Sequence, residues 1–112
     1  AMPGFPNFFM LFGPYSPIAN MSIIRNSEVQ ADYVMQCIEL LRRGVLRAMS
    51  PREDISRALK EDMGREVRNT VWAGGCSSWY LDSEGQPIAY PFPYSRFRRE
   101  LAAPVLAEFE TI

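Results

Sequence analysis

Two prolines near the amino end, Pro14 and Pro17, constrain this fold more than any other feature. Proline lacks a backbone N–H and disfavours helix at the residue before it, so the stretch from Gly13 to Asn20 cannot be helical. Asn20 and Ser22 close that stretch with side chains suited to capping a helix. Beyond them Ile23, Ser27, Ala31, Val34, Ile38 and Leu41 recur at three- and four-residue steps, while Arg25, Glu28, Asp32, Glu39 and Arg42 take the other faces. The pattern predicts a long helix starting near Ser22 and stopped by Gly44. Upstream, Phe8 to Phe12 is a short aromatic-rich run between the turn formers Pro3 to Asn7 and the Gly13-Pro14 pair, which predicts a buried strand.

After Gly44 the chain reads as extended from Val45 to Met49. Ser50-Pro51-Arg52-Glu53 then combines a capping box with proline at the first helical position. A second long helix follows, with Ile55, Leu59, Met63 and Val67 as its inward stripe, until Gly74-Gly75 breaks the pattern. Ser78 to Leu81 and Pro87 to Tyr90 flank the turn residues Asp82-Ser83-Glu84-Gly85 and predict a hairpin. Tyr94 to Leu101 predicts a short arginine-rich helix. The expected class is α+β: two long helices, a short N-terminal strand and a C-terminal β-hairpin.

Composition narrows the chemistry. A chain of 112 residues, 47% apolar, has room for one modest globular domain. A net charge of -1 supplies no basic field, so neither nucleic acid nor an anionic membrane surface is an expected partner. Histidine is absent, which removes imidazole acid/base catalysis, His-activated serine or cysteine nucleophiles and most zinc sites. Two cysteines, Cys37 and Cys76, are too few for a secreted disulfide framework. No apolar run reaches membrane-spanning length and no secretory leader opens the chain, so a cytoplasmic setting is expected.

No local constellation establishes catalysis. Gly75-Cys76-Ser77-Ser78-Trp79 superficially resembles the nucleophile segment of papain-like proteases, but without histidine Cys76 reads as a small packed residue. Cys37, on an apolar helix face, reads as core. Asp82 and Glu84 read as solvated turn residues, Arg96, Arg98 and Arg99 as a solvated or ion-paired face, and Trp72, Trp79, Tyr80, Tyr90, Phe92 and Tyr94 as closing a small core. No catalytic or metal-binding residue is assigned. The start of the first helix says more: its first N–H groups have no intrahelical acceptor and carry partial positive charge. Either an electron-rich group or the caps Asn20 and Ser22 satisfies those donors.

Three segments taken in order carry a resemblance. Pro3-Gly4-Phe5-Pro6-Asn7-Phe8-Phe9, Gly13-Pro14-Tyr15-Ser16-Pro17-Ile18-Ala19-Asn20-Met21-Ser22 and Cys76-Ser77-Ser78-Trp79-Tyr80-Leu81-Asp82 resemble the carboxyl-terminal portion of flavin-containing and Baeyer-Villiger monooxygenases. The resemblance implies that residues 1–44 correspond to the last strand, loop and helix of the FAD domain, and 45–112 to the C-terminal extension. It also implies an FAD- and NADPH-dependent parent enzyme that inserts one oxygen atom into a ketone or a nitrogen or sulfur substrate through a C4a-peroxyflavin.

Within that frame Asn20, Met21, Ser22 and Ile23 are the expected cofactor-binding residues, with the amides around Ser22 and Ile23 facing the flavin pyrimidine edge. Cys76, Trp79 and Tyr80 carry over as structural residues. The chain has no Gly-x-Gly-x-x-Gly motif and departs from the family at Tyr15, where asparagine is frequent, and at Ala19, where glycine is common. By itself it is expected to be inactive, to bind neither FAD nor NADPH, and to self-associate in place of its partners, the remainder of the parent flavoprotein and a small-molecule substrate. The alternative is a complete small protein-interaction domain without catalysis.

Overall fold

In a computed structural model of the chain, residues 1–16, 21–75 and 80–112 are described. The elements are α1 (Ile23–Arg42), β1 (Met49–Pro51), α2 (Glu53–Val67), α3 (Tyr94–Glu100) and β2 (Phe109–Thr111), with single 3-10 turns at Val71–Ala73 and Leu106–Glu108. The class is α+β, as expected from the sequence.

Helix α1 begins after Ser22 and ends where predicted. Gly44 adopts φ +70°, its N–H donates to the Leu41 carbonyl (3.0 Å) and the Val45 N–H donates to the Leu40 carbonyl (3.1 Å). This is the paired bonding of a left-handed glycine terminus, which satisfies carbonyls that the helix leaves open. The inward face differs from the predicted stripe. Asn26, Gln30 and Cys37 are the buried residues of α1, whereas Ile23, Ile24, Met35 and Ile38 are exposed. The apolar periodicity therefore marks a surface that the described chain leaves open.

The predicted capping box does not form. Ser50 lies in β1 opposite Glu110, and its Oγ accepts the Gly4 N–H (3.1 Å), so the hydroxyl is already engaged when α2 starts at Glu53. Arg52 occupies the N-cap position instead and its guanidinium grips Asp54. On α2 Met63 and Val67 are buried as predicted, while Ile55 and Leu59 are exposed.

The N-terminal strand expected over Phe8 to Phe12 is also absent. Asn7 exchanges two hydrogen bonds with Met49, N–H to carbonyl (2.9 Å) and Met49 N–H to Oδ1 (3.0 Å), but at φ 57° it turns the chain away from β1. Phe12, at φ 54°, turns it again. Positive φ is incompatible with extended pairing, so no ladder continues past Asn7. β1 pairs instead with β2, antiparallel, with Met49 opposite Thr111 and Pro51 opposite Phe109. Of the predicted C-terminal hairpin, Ser78 and Trp79 lie outside the described residues, and the rest shows one bridging pair, Leu81 with Pro87, around the expected turn. Asp82 Oδ1 accepts the N–H groups of Glu84 and Gln86, both at 2.9 Å, which makes Asp82 a turn residue.

Met63, Tyr90 and Phe97 form a buried core cluster, against which Tyr15, Met21, Val29, Phe92, Tyr94 and Leu101 pack, and Cys37, Met49, Val67 and Ala89 are buried besides. Tyr90 meets Phe97 and Phe92 edge to face, with centroids 5.2 and 5.5 Å apart, the arrangement favoured by ring quadrupoles. Around it Arg96 on α3 binds Asp62 on α2 (3.0 Å) and Glu100 (2.6 Å), and Glu100 accepts the Tyr90 hydroxyl (2.9 Å). The expected ion-paired arginine face thus fastens α3 to α2. Cys37 is fully buried, and that burial raises its thiol pKa, as suits a packed neutral side chain. Cys76 and Trp79, expected to be structural, lie outside the described residues.

Candidate functional site

The start of α1 is built from three parts: the helix terminus, the turn before it and one buried side chain beneath. At the terminus Ser22 has extended geometry (φ -61°, ψ 128°), and its carbonyl accepts the Asn26 N–H (3.1 Å), but its hydroxyl makes no cap. The sequence alternative in which Ser22 caps its own helix is therefore not realised. No acidic residue lies in the first turn, and Arg25 does. Ser22, Ile23 and Ile24 are exposed, Ile23 by 60%. An open terminus with a cation and no carboxylate attracts electron-rich groups.

Of the other expected site residues, Met21 is half-buried and packs against the Met63-Tyr90-Phe97 core, so its backbone is anchored from below. Asn20 lies outside the described residues. The turn is held at several points. Ser16 N–H reaches the Gly13 carbonyl (3.1 Å), and Tyr15, at φ 62°, donates its N–H to Ile88 (2.8 Å). A Cβ on Gly13 would come within 2.6 Å of the Met10 sulfur, the end of a flexible exposed side chain that would have to swing aside.

The buried side chain is Gln30, a residue that apolar periodicity did not single out. Its Oε1 accepts the Phe12 N–H (2.6 Å) and its Nε2 donates to Ser16 Oγ (2.8 Å), so one carboxamide holds both ends of the turn. Only its position on one face with Asn26, one turn earlier, gave a sequence signal. Asn26 is fully buried, and among the described residues neither its Nδ2 nor its Oδ1 has a hydrogen-bond partner.

At the other end of α1 an open groove of about 510 Å³ is lined by Met35, Gln36, Glu39, Leu40, Arg43, Pro104 and Leu106. It shares no residue with the helix start. Arg42 and Arg43 both bind Glu39 there and hold its carboxyl down at about pKa 2. Among the described residues no cluster of cysteines and carboxylates is arranged to hold a metal ion, and no helix is long and apolar enough to cross a membrane.

Comparison with known proteins agrees with the geometry. No family model matches the chain. It is 40% identical over 102 residues to an uncharacterised monooxygenase of Mycobacterium tuberculosis, covering 91% of this chain and 21% of that protein. A Baeyer-Villiger monooxygenase of Streptomyces coelicolor is 35% identical over 112 residues, covering 97% of this chain and 22% of the relative. An FAD-binding monooxygenase of Emericella nidulans is 29% identical over 98% of the chain. Two solved structures share the fold: an oxidised steroid monooxygenase bound to NADP (TM-score 0.83, 22% identity, 99% of this chain and 21% of that one) and a cyclohexanone monooxygenase from Rhodococcus bound to NADP+ (TM-score 0.81, 23% identity, 98% and 22%). The chain is related to monooxygenases of the Baeyer-Villiger type, resembles their carboxyl-terminal portion, and spans about a fifth of the length of the curated relatives it matches.

Proposed function

We propose that this chain is the closing segment of an FAD- and NADPH-dependent monooxygenase that inserts one oxygen atom into a ketone or a nitrogen or sulfur substrate. Residues 1–44 complete the FAD domain and 45–112 form the C-terminal extension. The observation that carries this reading is the exposed start of α1, which the Ser22 hydroxyl does not cap and which suits an electron-rich heterocycle. Bound FAD supplies the electron acceptor for NADPH and the site where dioxygen is activated. The chain's own contribution is to bind and orient. The amides at Ser22 and Ile23 would hold the edge of the ring where negative charge gathers on reduction, and Arg25 would add to that field. A helix terminus contributes about 0.3–2 kcal/mol to a nearby anion, enough to bias a redox equilibrium without driving the reaction. Met21, packed against the core, would form the floor beneath, and Asn20 is proposed with it as a cofactor-binding residue.

The exposed apolar residues Phe8, Met10, Leu11, Ile24, Met35 and Ile38 are the surface that the rest of the enzyme covers. Separated from it, the chain self-associates and is catalytically silent.

The test compares the full-length protein with the 112-residue chain. The full-length protein is expected to retain FAD, oxidise NADPH and incorporate an atom of dioxygen into a ketone, amine or sulfide. Ser22→Asp, which places a carboxylate over the free amides, is expected to weaken FAD binding by up to about thirtyfold. Stoichiometric flavin retention with NADPH oxidation by the 112-residue chain alone would overturn the proposal, as would wild-type FAD affinity in Ser22→Asp.

A further inference from the structure

We infer that Gln30 is the positioning residue for the flavin-facing turn: its buried carboxamide fixes the Phe12–Ser16 backbone, and through it the approach to the amides at Ser22 and Ile23. This rests on the function proposed above and goes beyond it in assigning the residue that sets the geometry.

Four observations meet at this residue. Gln30 is only 9% exposed and both polar ends of its carboxamide are used, Oε1 on the Phe12 N–H at 2.6 Å and Nε2 on Ser16 Oγ at 2.8 Å. The two partners bracket Gly13 and Pro14, so one rigid group on α1 determines how the turn is seated on the helix that follows it. Phe12 and Tyr15 both hold positive φ, a conformation that non-glycine residues keep only when their surroundings impose it. Finally, Tyr15 N–H bonds the Ile88 carbonyl (2.8 Å) from the opposite side, leaving Gln30 as the clamp on the α1 side. Gln30 and the amides at Ser22 and Ile23 belong to one helix, so the carboxamide sets where the Phe12–Ser16 turn sits relative to those amides, and with it the space left for a planar ligand.

The chemistry makes the role separable from simple packing. Phe12 N–H needs an acceptor, and the Ser16 hydroxyl either accepts or donates. A glutamate at this position therefore keeps both bonds, with the Ser16 hydroxyl reversed to donate to the carboxylate. A leucine keeps the bulk and loses both.

The experiment uses the full-length enzyme as wild type, Gln30→Leu and Gln30→Glu. FAD dissociation constants and the visible circular dichroism of the bound flavin are measured, and far-UV circular dichroism monitors folding. Gln30→Leu is expected to weaken FAD binding about tenfold and to change the flavin signal, and Gln30→Glu to recover most of both. Wild-type affinity and flavin signal in Gln30→Leu overturn the inference, and so does a Gln30→Glu enzyme as defective as Gln30→Leu. If Gln30→Leu fails to fold, the Gln30→Glu arm decides alone: a wild-type flavin signal supports the clamp and a lost one refutes it. A wild-type enzyme that binds no FAD overturns the parent reading before any variant is compared.

Discussion

Asn26 and Gln30 lie one turn apart on the buried face of α1, carry the same functional group and face opposite fates when that group is removed. Both polar ends of Gln30 are bonded, whereas Asn26 is completely buried and, among the described residues, neither of its polar atoms has a partner. A buried polar group without a partner costs about 1–3 kcal/mol, and an apolar replacement that fits the space removes that cost. Leucine is bulkier than asparagine and would overpack the site, whereas alanine fits within it and is the best helix former. Asn26→Ala is therefore expected to stabilise the chain by about 1 kcal/mol or more, the small cavity it leaves included. Gln30→Leu strips the acceptor from Phe12 N–H and is expected to destabilise by about 1–3 kcal/mol. In urea unfolding followed by far-UV circular dichroism, m is about 1–3 kcal/mol/M, so the midpoints should move by about 1 M in opposite directions. An unchanged or lowered midpoint for Asn26→Ala, or parallel shifts for both, would refute the reasoning.

Tyr90→Phe deletes a bond from a buried hydroxyl to Glu100 and should cost about 1 kcal/mol in the same assay. Burial, then the Glu100 hydrogen bond, raises the Tyr90 pKa above its ordinary 10.0, so the phenol favours its neutral form on folding. This contribution is present in full below pH 10.0 and is lost as pH rises above it; absorbance titration should show Tyr90 ionising above pH 10.0, beyond a model tyrosine. Glu39, held at about 2 by hydrogen bonds from Arg42 and then Arg43, behaves in the reverse sense. Its stabilising effect is present above pH 4.5 and fades as pH falls toward 2, so acid unfolding of Glu39→Gln should diverge from wild type above that window and converge below it. Gly44→Ala forces a Cβ into φ +70° and should lower stability by about 1 kcal/mol in thermal unfolding, although nothing crowds the site.

Backbone punctuation was legible in the sequence. Pro14, Pro17, Ser22 and Gly44 marked the limits of α1 because these residues act through local sterics. The turn at Asp82 and the helix at Tyr94 were readable for the same reason. Which face of α1 is inward was not readable: the rule that apolar residues face the core fails where a helix has a second apolar surface to offer, and here Ile24, Met35 and Ile38 belong to that surface. Ser50 misled because a hydroxyl within reach of its own helix start was bonded to Gly4, a distant residue that no local motif reveals. Phe8 to Phe12 has strand composition, but the conformations of Asn7 and Phe12 are imposed by Met49 and Gln30, both far along the chain. At the candidate site helix-end physics pointed to the donors near Ser22 and left open what satisfies them, and the assignment of Ser22 and Ile23 to a cofactor came from the resemblance. Gln30 escaped because a lone glutamine on a helix reads as solvated until its partners are known.

The antiparallel pair of β1 and β2 joins Met49, just after the first helix, to Thr111, close to the last residue of the sequence. Ile112 extends the clasp, its carbonyl receiving the N–H groups of Arg47 and Ala48. Such a distant pairing must overcome the entropy of the whole intervening loop before it yields any bond. Before that pairing forms, β1 has, among the described residues, only the bonds that Gly4 and Asn7 make to it, and α2, α3 and the Met63–Tyr90–Phe97 cluster all lie within the loop that the pairing closes.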